Sequence, residues 1–291
     1  MNILITGCNT GLGYELAVGL SKKGYQVIAT ILKEEDKILF QNTTIKCVTL
    51  DLTNKESIAS CVEKTLLITN NKIDILINNA GIVIPGALED ISYDTIRNQF
   101  NINVFGLHEI TRLTLPSMHE NNSGTIINIS SMLGSVVFPY RSIYSASKFA
   151  LKAITHGLRQ ELKTINSPIK VILIESGPIK TNIRSNAIKL ANKYIPINTS
   201  RYQENYKKLL LATKNDDPLF TKLPEEMVKF IQKILVSKQP KAIYQFGALA
   251  KIANFMGRFF SLNLLDKTIA KIFTFEVEHK DIESKISLVN K

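Results

Sequence analysis

A short apolar run, Asn2-Ile3-Leu4-Ile5, leads directly into Thr6-Gly7-Cys8-Asn9-Thr10-Gly11-Leu12-Gly13, and a helical pattern follows through Leu16, Ala17 and Leu20. Strand, glycine turn and helix in that order leave few folds open. Glycine lets a backbone turn sharply and lets other groups approach it closely. A helix N-terminus adds free N–H groups and the positive end of a dipole. Together they build a cradle for a phosphate-bearing ligand at the edge of an α/β sheet. The spacing is Gly-x-x-x-Gly-x-Gly rather than the commoner Gly-x-Gly-x-x-Gly. Taken alone, the run also reads as a plain glycine turn.

The remainder of the chain alternates in the same way. Segments 2–6, 25–31, 45–50, 73–78, 124–130, 169–175 and 241–245 read as strands, and 12–23, 55–69, 95–119, 143–164 and 225–236 as helices. This pattern predicts an α/β fold, a single doubly wound parallel sheet with helices on both faces. Ligands of such sheets lie beyond the carboxyl ends of the strands, and Thr6, Asn78, Ser130 and Glu175 each fall near one. The 291 residues, 45% of them apolar, show no linker or repeat. They are read as one domain over 1–291, with 182–223 as a substrate lid and 247–291 as a C-terminal helical extension.

Tyr144 and Lys148 stand four residues apart in Tyr144-Ser145-Ala146-Ser147-Lys148, with Ser131 thirteen residues before the tyrosine. The i, i+4 spacing puts both side chains on one helix face. A free phenol has a pKa near ~10. A nearby ammonium stabilises the phenolate, so a tuned tyrosine can exchange a proton with an alcohol oxygen. An ordinary pair on an amphipathic helix is the alternative.

Taken together, these residues closely resemble the short-chain dehydrogenase/reductase family. Thr6-Gly7 through Gly13 matches its Thr-Gly-x-x-x-Gly-x-Gly motif, and Asn78-Asn79-Ala80-Gly81 its Asn-Asn-Ala-Gly motif. Asn103, Ser131, Tyr144 and Lys148 match its catalytic tetrad. Gly177-Pro178-Ile179-Lys180-Thr181 matches the segment facing the nicotinamide carboxamide, with Ser176 where many members carry proline. The resemblance implies a Rossmann-type fold and reversible hydride transfer between a nicotinamide and a carbonyl carbon. It makes Tyr144 the acid or base and Ser131 the residue that orients the substrate oxygen. Lys148 would lower the tyrosine pKa and hold the ribose, and Asn103, in the long helix, would support a water relay. The cofactor positions implied are Thr6, Gly7, Asn9, Thr10, Gly11, Leu12 and Gly13, then Thr30, Ile31, Lys33, Asp51 and Leu52, then Asn79, Ala80, Gly81, Tyr144, Lys148, Gly177, Pro178, Ile179 and Thr181. Asp51 would lie near the adenine, or serve as a turn residue before the next helix.

The choice between NADP(H) and NAD(H) turns on Val27 through Asp36. Relatives that prefer NAD carry Asp at the position of Ile31, and relatives that prefer NADP often carry Arg at the position of Leu32 or a basic residue at Thr10. This chain has neither. Lys33 tips the expectation to NADP(H), with NAD(H) as the alternative. Ile183, Ile188, Leu190, Tyr194, Ile195 and Ile197 offer an apolar lid lining, or else belong to the core. A lipophilic alcohol, aldehyde or ketone is the expected substrate, and Ile174-Glu175-Ser176-Gly177-Pro178 resembles the steroid- and retinoid-like branch.

The formal charge of +11 is uneven: 17 Lys+Arg against 15 Asp+Glu in residues 1–181, but 19 against 10 in residues 182–291. An anionic partner or solvated helix faces would account for the excess. In 247–275, Lys251, Asn254, Arg258 and Ser261 follow helical spacing opposite Leu249, Ile252, Phe255, Met256, Phe259 and Phe260. That helix is expected to cap the pocket or pack on a subunit, with peripheral membrane contact as the alternative. A homodimer or homotetramer is expected through helices 95–119 and 143–164. Cys8, Cys47 and Cys61 lack paired spacing, and the first strand leaves no room for a signal peptide, so a cytoplasmic setting is expected. No metal-ligand, nucleic-acid or Gly-x-Ser-x-Gly signature occurs. A catalytically silent, cofactor-binding regulatory protein is the competing class.

Overall fold

Side chains alternate across a strand, and the first strand divides its own accordingly. Ile3 and Ile5 enter one apolar core while Leu4 enters the other. Both faces must then be covered, as is usual for parallel sheets. The computed structural model describes residues 1–215 and 218–274. Its strands are β1 (Asn2–Ile5), β2 (Gln26–Ile31), β3 (Lys46–Thr49), β4 (Ile75–Asn78), β5 (Thr125–Ser131), β6 (Lys170–Ser176) and β7 (Ile243–Phe246). They pair in parallel in the order β3-β2-β1-β4-β5-β6-β7. The order reverses between β1 and β4, the switch point where a crevice opens.

On one face α1 (Gly11–Ser21) and α8 (Pro224–Leu235) bury Leu16, Ala17, Leu20, Met227, Val228 and Ile231. On the other, α2 (Lys55–Ile68), α4 (Leu107–Glu120) and α5 (Ser142–Thr164) bury Ile58, Cys61, Val62, Ile110, Met118 and Leu162. The single helix expected over 95–119 is instead α3 (Tyr93–Phe100), a π-helical segment Asn101–Gly106, and α4. Gly106 passes so close to the second core that a Cβ there would lie 2.2 Å from the Leu52 carbonyl oxygen. Asn103, within the π segment, bonds the backbone of Ile82. π segments of this kind often mark functional positions.

The region 182–223 contains α6 (Ile183–Tyr194) and α7 (Gln203–Asn215), which the apolar spacing does not predict. The Tyr206 hydroxyl pins α7, donating to Asp90 Oδ2 at 2.6 Å and accepting from Ala87 N–H at 2.7 Å. The tail is two helices, α9 (Ala248–Phe259) and 262–274, rather than one. The expected apolar face packs only in part, through Met256, Leu249 and Phe260. Ala250, Ala253 and Met256 are buried, whereas Ile252, Phe255 and Phe259 are exposed. Gly257 explains this, since a Cβ there would stand 2.1 Å from the Ser135 carbonyl oxygen, and only the small-residue face fits so closely. The parts of the lid and extension at 216–217 and 275–291 lie outside the described residues.

A buried polar ladder joins the sheet to α4 and α5. Asn78 Nδ2 donates to Asn128 Oδ1 at 2.9 Å and to Thr111 Oγ1 at 3.0 Å, and Asn128 Nδ2 donates to Thr155 Oγ1 at 2.8 Å. Asn128→Ala would leave the Asn78 donor and Thr155 each short of a buried partner. It is expected to destabilise the fold by about 2–4 kcal/mol, read as a lower urea midpoint with an unchanged m-value.

Candidate active site

The glycine turn after β1 and the Asn-Asn-Ala-Gly turn after β4 are held together by one hydroxyl. Thr6 Oγ1 accepts the N–H groups of Asn79 and Ala80, both at 3.0 Å. Asn79 Nδ2 answers by donating to the carbonyls of Thr6 at 2.9 Å and Gly7 at 3.3 Å. Gly7 takes a φ of +73° and faces Ala80, and a Cβ on Gly13 would overlap the Gly7 carbonyl oxygen at 2.0 Å. Thr30 Oγ1 accepts the Gly7 N–H at 3.0 Å. The Thr10 side chain does not cap α1, so the first-turn N–H groups remain open toward the crevice.

A cavity of about 840 Å³ begins here and extends to the tail. All the sequence-predicted site residues line it except Thr6 and Asn103, which are buried directly behind it. Thr6 acts through the hydroxyl described above. Asn103 Oδ1 accepts from Ile82 N–H at 2.9 Å, and its Nδ2 donates to the Ile82 carbonyl at 2.9 Å and to Ser147 Oγ at 3.1 Å. Asp51 Oδ1 accepts from the Thr53 N–H and hydroxyl, so the turn role holds while the residue also borders the cavity. Asn54 caps α2, its side chain accepting from Ser57 N–H at 2.7 Å.

Tyr144, Lys148 and Ser131 meet at the middle of the cavity. The Ser131 hydroxyl hydrogen-bonds Tyr144. Lys148 Nζ lies 5.7 Å from the Tyr144 ring centroid and donates to the Ile129 carbonyl at 3.1 Å. Burial dominates both titrations. It pushes the phenol up to about 12, opposed by the Ser131 hydrogen bond and the Arg141 charge. It brings the ammonium down to about 8. The expectation that Lys148 itself lowers the phenol is therefore not met in this arrangement. The ammonium is turned to the Ile129 carbonyl, and desolvation outweighs the remaining attraction.

Two specificity expectations change. Ile31 is buried in the first core, so an acid there would enter apolar packing as well as the cavity wall. Asp36, which the sequence reading does not single out, also lines the cavity. Its carboxylate accepts from the Asn9 side-chain amide and from Lys33 N–H at 3.2 Å. The Lys33 ammonium lines the same wall with no hydrogen bond or ion pair among the described residues. Of the proposed lid residues, Ile183 and Leu190 reach the cavity. Ile195 is buried with Ile84, Ala87 and Tyr206, with Tyr194 and Ile197 packed around them. The far end is instead apolar through Val83, Met132, Leu133, Val136, Phe138 and Met256. No spacing links these residues, so only their convergence in the fold identifies them.

Behind this chamber, Glu175 is a fully buried carboxylate. Its Oε1 accepts from Lys152 Nζ at 2.7 Å and Ser135 Oγ at 3.0 Å, and its Oε2 from Asn254 Nδ2 at 3.0 Å and Gln245 Nε2 at 3.2 Å. This set ties α9 to β6, β7 and α5, so the tail is docked on the site.

The buried ammonium has a consequence for stability. Between about pH 8 and the ordinary lysine value of 10.5, the unfolded chain holds the Lys148 proton more tightly than the folded one. Folding stability therefore gains from Lys148 as pH rises through this window. Lys148→Met is expected to lose that gain, of the order of 3 kcal/mol. Urea unfolding of both proteins at pH 8 and 10 checks it; above pH 10 the raised Tyr144 pKa acts in the opposite sense.

Comparison with known proteins agrees with this geometry. The short chain dehydrogenase family model matches residues 1–190. The chain is 31% identical to the uncharacterized oxidoreductase YbbO of Escherichia coli (strain K12) over 268 residues, 92% of this chain and 93% of that protein. It is 31% identical to retinol dehydrogenase 8 of Homo sapiens over 252 residues, 82% of this chain and 78% of that one. A short chain dehydrogenase from Burkholderia cenocepacia J2315, solved in complex with NADP, superposes with a TM-score of 0.69 at 26% identity, covering 89% of this chain and 93% of that one. Glycine cradle, Asn-Asn-Ala-Gly turn and Tyr-x-x-x-Lys helix meeting at one sheet edge make this chain a member of the short-chain dehydrogenase/reductase family of NAD(P)-dependent oxidoreductases.

Proposed function

We propose that the protein interconverts a lipophilic alcohol and its aldehyde or ketone, using NADP(H) in preference to NAD(H), with Tyr144 as the proton donor and acceptor. The observation that carries this reading is that Tyr144, Ser131 and Lys148 stand where a phosphate cradle and an apolar chamber meet. The residues present fit a dinucleotide. Positive φ at Gly7 and Gly11 shapes the turn, and α1 opens its uncapped N–H groups to an anion. Asp51, Leu52, Gly177, Pro178, Ile179 and Thr181 line the cavity; the first two would hold the adenine and the others would face the nicotinamide. When bound, the nicotinamide supplies the hydride acceptor or donor.

The chain's own residues manage the proton and the oxygen. Ser131 orients the substrate oxygen by a hydrogen bond. The Tyr144 hydroxyl gives its proton to that oxygen in reduction and takes one back in oxidation. Lys148, on the same helix face as Tyr144, holds the ribose hydroxyls. Asn103 fixes the Ile82 backbone and Ser147 beside it, keeping the path behind Lys148 polar. The apolar far wall excludes water and fits a lipophilic chain. The similarity to a protein named retinol dehydrogenase 8 supports that substrate class. Self-association as a homodimer or homotetramer through helices 95–119 and 143–164 belongs to the same reading, with Phe105 in the π segment and Phe149 on α5 as exposed apolar surface.

Tyr144→Phe is expected to lower turnover by about 10²- to 10⁴-fold while leaving cofactor affinity within about twofold, because the ring packs as before without its proton. Nicotinamide absorbance reads the first and fluorescence titration the second. Near-normal turnover in the variant would refute the role.

NADPH is expected to bind more tightly than NADH, since Lys33 can meet a 2′-phosphate while the Asp36 carboxylate is engaged by its own chain. Lys33→Ala should weaken NADPH by roughly tenfold, about 1.4 kcal/mol, and leave NADH nearly unchanged. Equal losses for both cofactors would exclude the phosphate contact.

A further inference from the structure

The face that α9 turns away from the protein is more apolar than the face it buries. Ile252, Phe255 and Phe259, spaced three and four residues apart on one helix side, are 50%, 56% and 65% exposed, and Leu262 just beyond is 77% exposed. The two phenyl rings touch, with centroids 4.9 Å apart. Lys251 and Arg258, seven residues apart and both exposed, flank this stripe. Lys267 and Lys271 are exposed on the next helix, and Asp266 is the single acid among residues 247–274. A broad exposed apolar stripe bordered by cations is the pattern of a helix lying in a lipid interface.

The stripe is continuous with the cavity. Ile252 and Ile272 are exposed at the surface, and both line the cavity wall. The mouth of the apolar chamber therefore opens beside the stripe, while the Asn254–Glu175 hydrogen bond and Gly257 fix the opposite side of α9 against the protein.

We propose that α9 and the start of helix 262–274 dock this protein on an anionic phospholipid surface, so that a lipophilic substrate passes between the bilayer and the cavity without crossing water. No described helix is long and apolar enough to cross a membrane, and the stripe lies along the surface of α9. The docking rests on the lipophilic-substrate reading only for its purpose. Its chemistry stands on the stripe and the cations.

The test is co-sedimentation of the full 291-residue chain with phosphatidylcholine vesicles, with and without about one-third phosphatidylglycerol, across about 0.05 to 0.5 M salt. The intact chain should bind the anionic vesicles, bind neutral ones at least tenfold more weakly, and lose most of its binding at high salt (about tenfold). Phe255→Asp with Phe259→Asp should abolish binding, and Lys251→Glu with Arg258→Glu should remove the preference for anionic lipid. Both variants alter exposed side chains outside the cavity lining, so both should keep turnover of a water-soluble carbonyl compound. Absence of vesicle binding by the intact chain, or unchanged binding in both variants, would overturn the proposal. So would loss of a dimer in the phenylalanine variant without any vesicle effect, which would mark the stripe as an interface between copies. Vesicle binding as expected with no turnover of any carbonyl compound would instead sink the proposed reaction and leave the docking intact.

Discussion

One hydroxyl sets the geometry on which the site depends. Thr6 Oγ1 accepts two backbone N–H groups from the neighbouring turn, and Asn79 returns two hydrogen bonds to the Thr6 and Gly7 carbonyls. These bonds lock the loops leaving β1 and β4, the two strands that flank the switch point. Buried backbone groups must find partners, so the glycine turn has little freedom to close over its own cradle. Gly7 and Gly13 complete the constraint by admitting contacts that any Cβ would block. The uncapped start of α1 is consequently held open.

Desolvation does the opposite work a few ångströms away. The proposed chemistry asks Tyr144 to give and take a proton, yet both it and Lys148 are buried. Burial alone drives the phenol away from neutrality and the ammonium toward it. The Ser131 hydrogen bond and the Arg141 charge pull the phenol back part of the way. A lysine near 8 is poised to release or hold a proton close to physiological pH. The buried ammonium keeps the Ile129 carbonyl as its hydrogen-bond acceptor.

Glu175 joins this centre to the periphery. A buried carboxylate is costly unless fully hydrogen-bonded, and here four donors from β7, α5, α9 and the loop after β5 satisfy it. The tail helix is thus seated by polar bonds on its inner side. Its outer side is left free to carry large apolar residues that no packing requirement in the described fold explains.

Much of this was written in local sequence. The order of strand, glycine turn and helix, the alternation of apolar runs, and the Tyr144–Lys148 spacing each reflect short-range rules: backbone freedom, period two and period 3.6. They determined the parallel sheet, the cradle and the shared helix face of Tyr144 and Lys148. Tertiary structure decided what depends on residues far apart in the chain meeting in space. The close packing of the π segment on the sheet's second face needed Gly106 to meet Leu52. The apolar chamber needed Val83, Val136 and Met256 to converge. The inner face of α9 needed Gly257 to meet Ser135 and Asn254 to find Glu175. Helical spacing alone marked the large residues as the packing face. Close approach favoured the small ones instead, because a helix lying against backbone has room for Ala250 and Ala253 but not for phenylalanine.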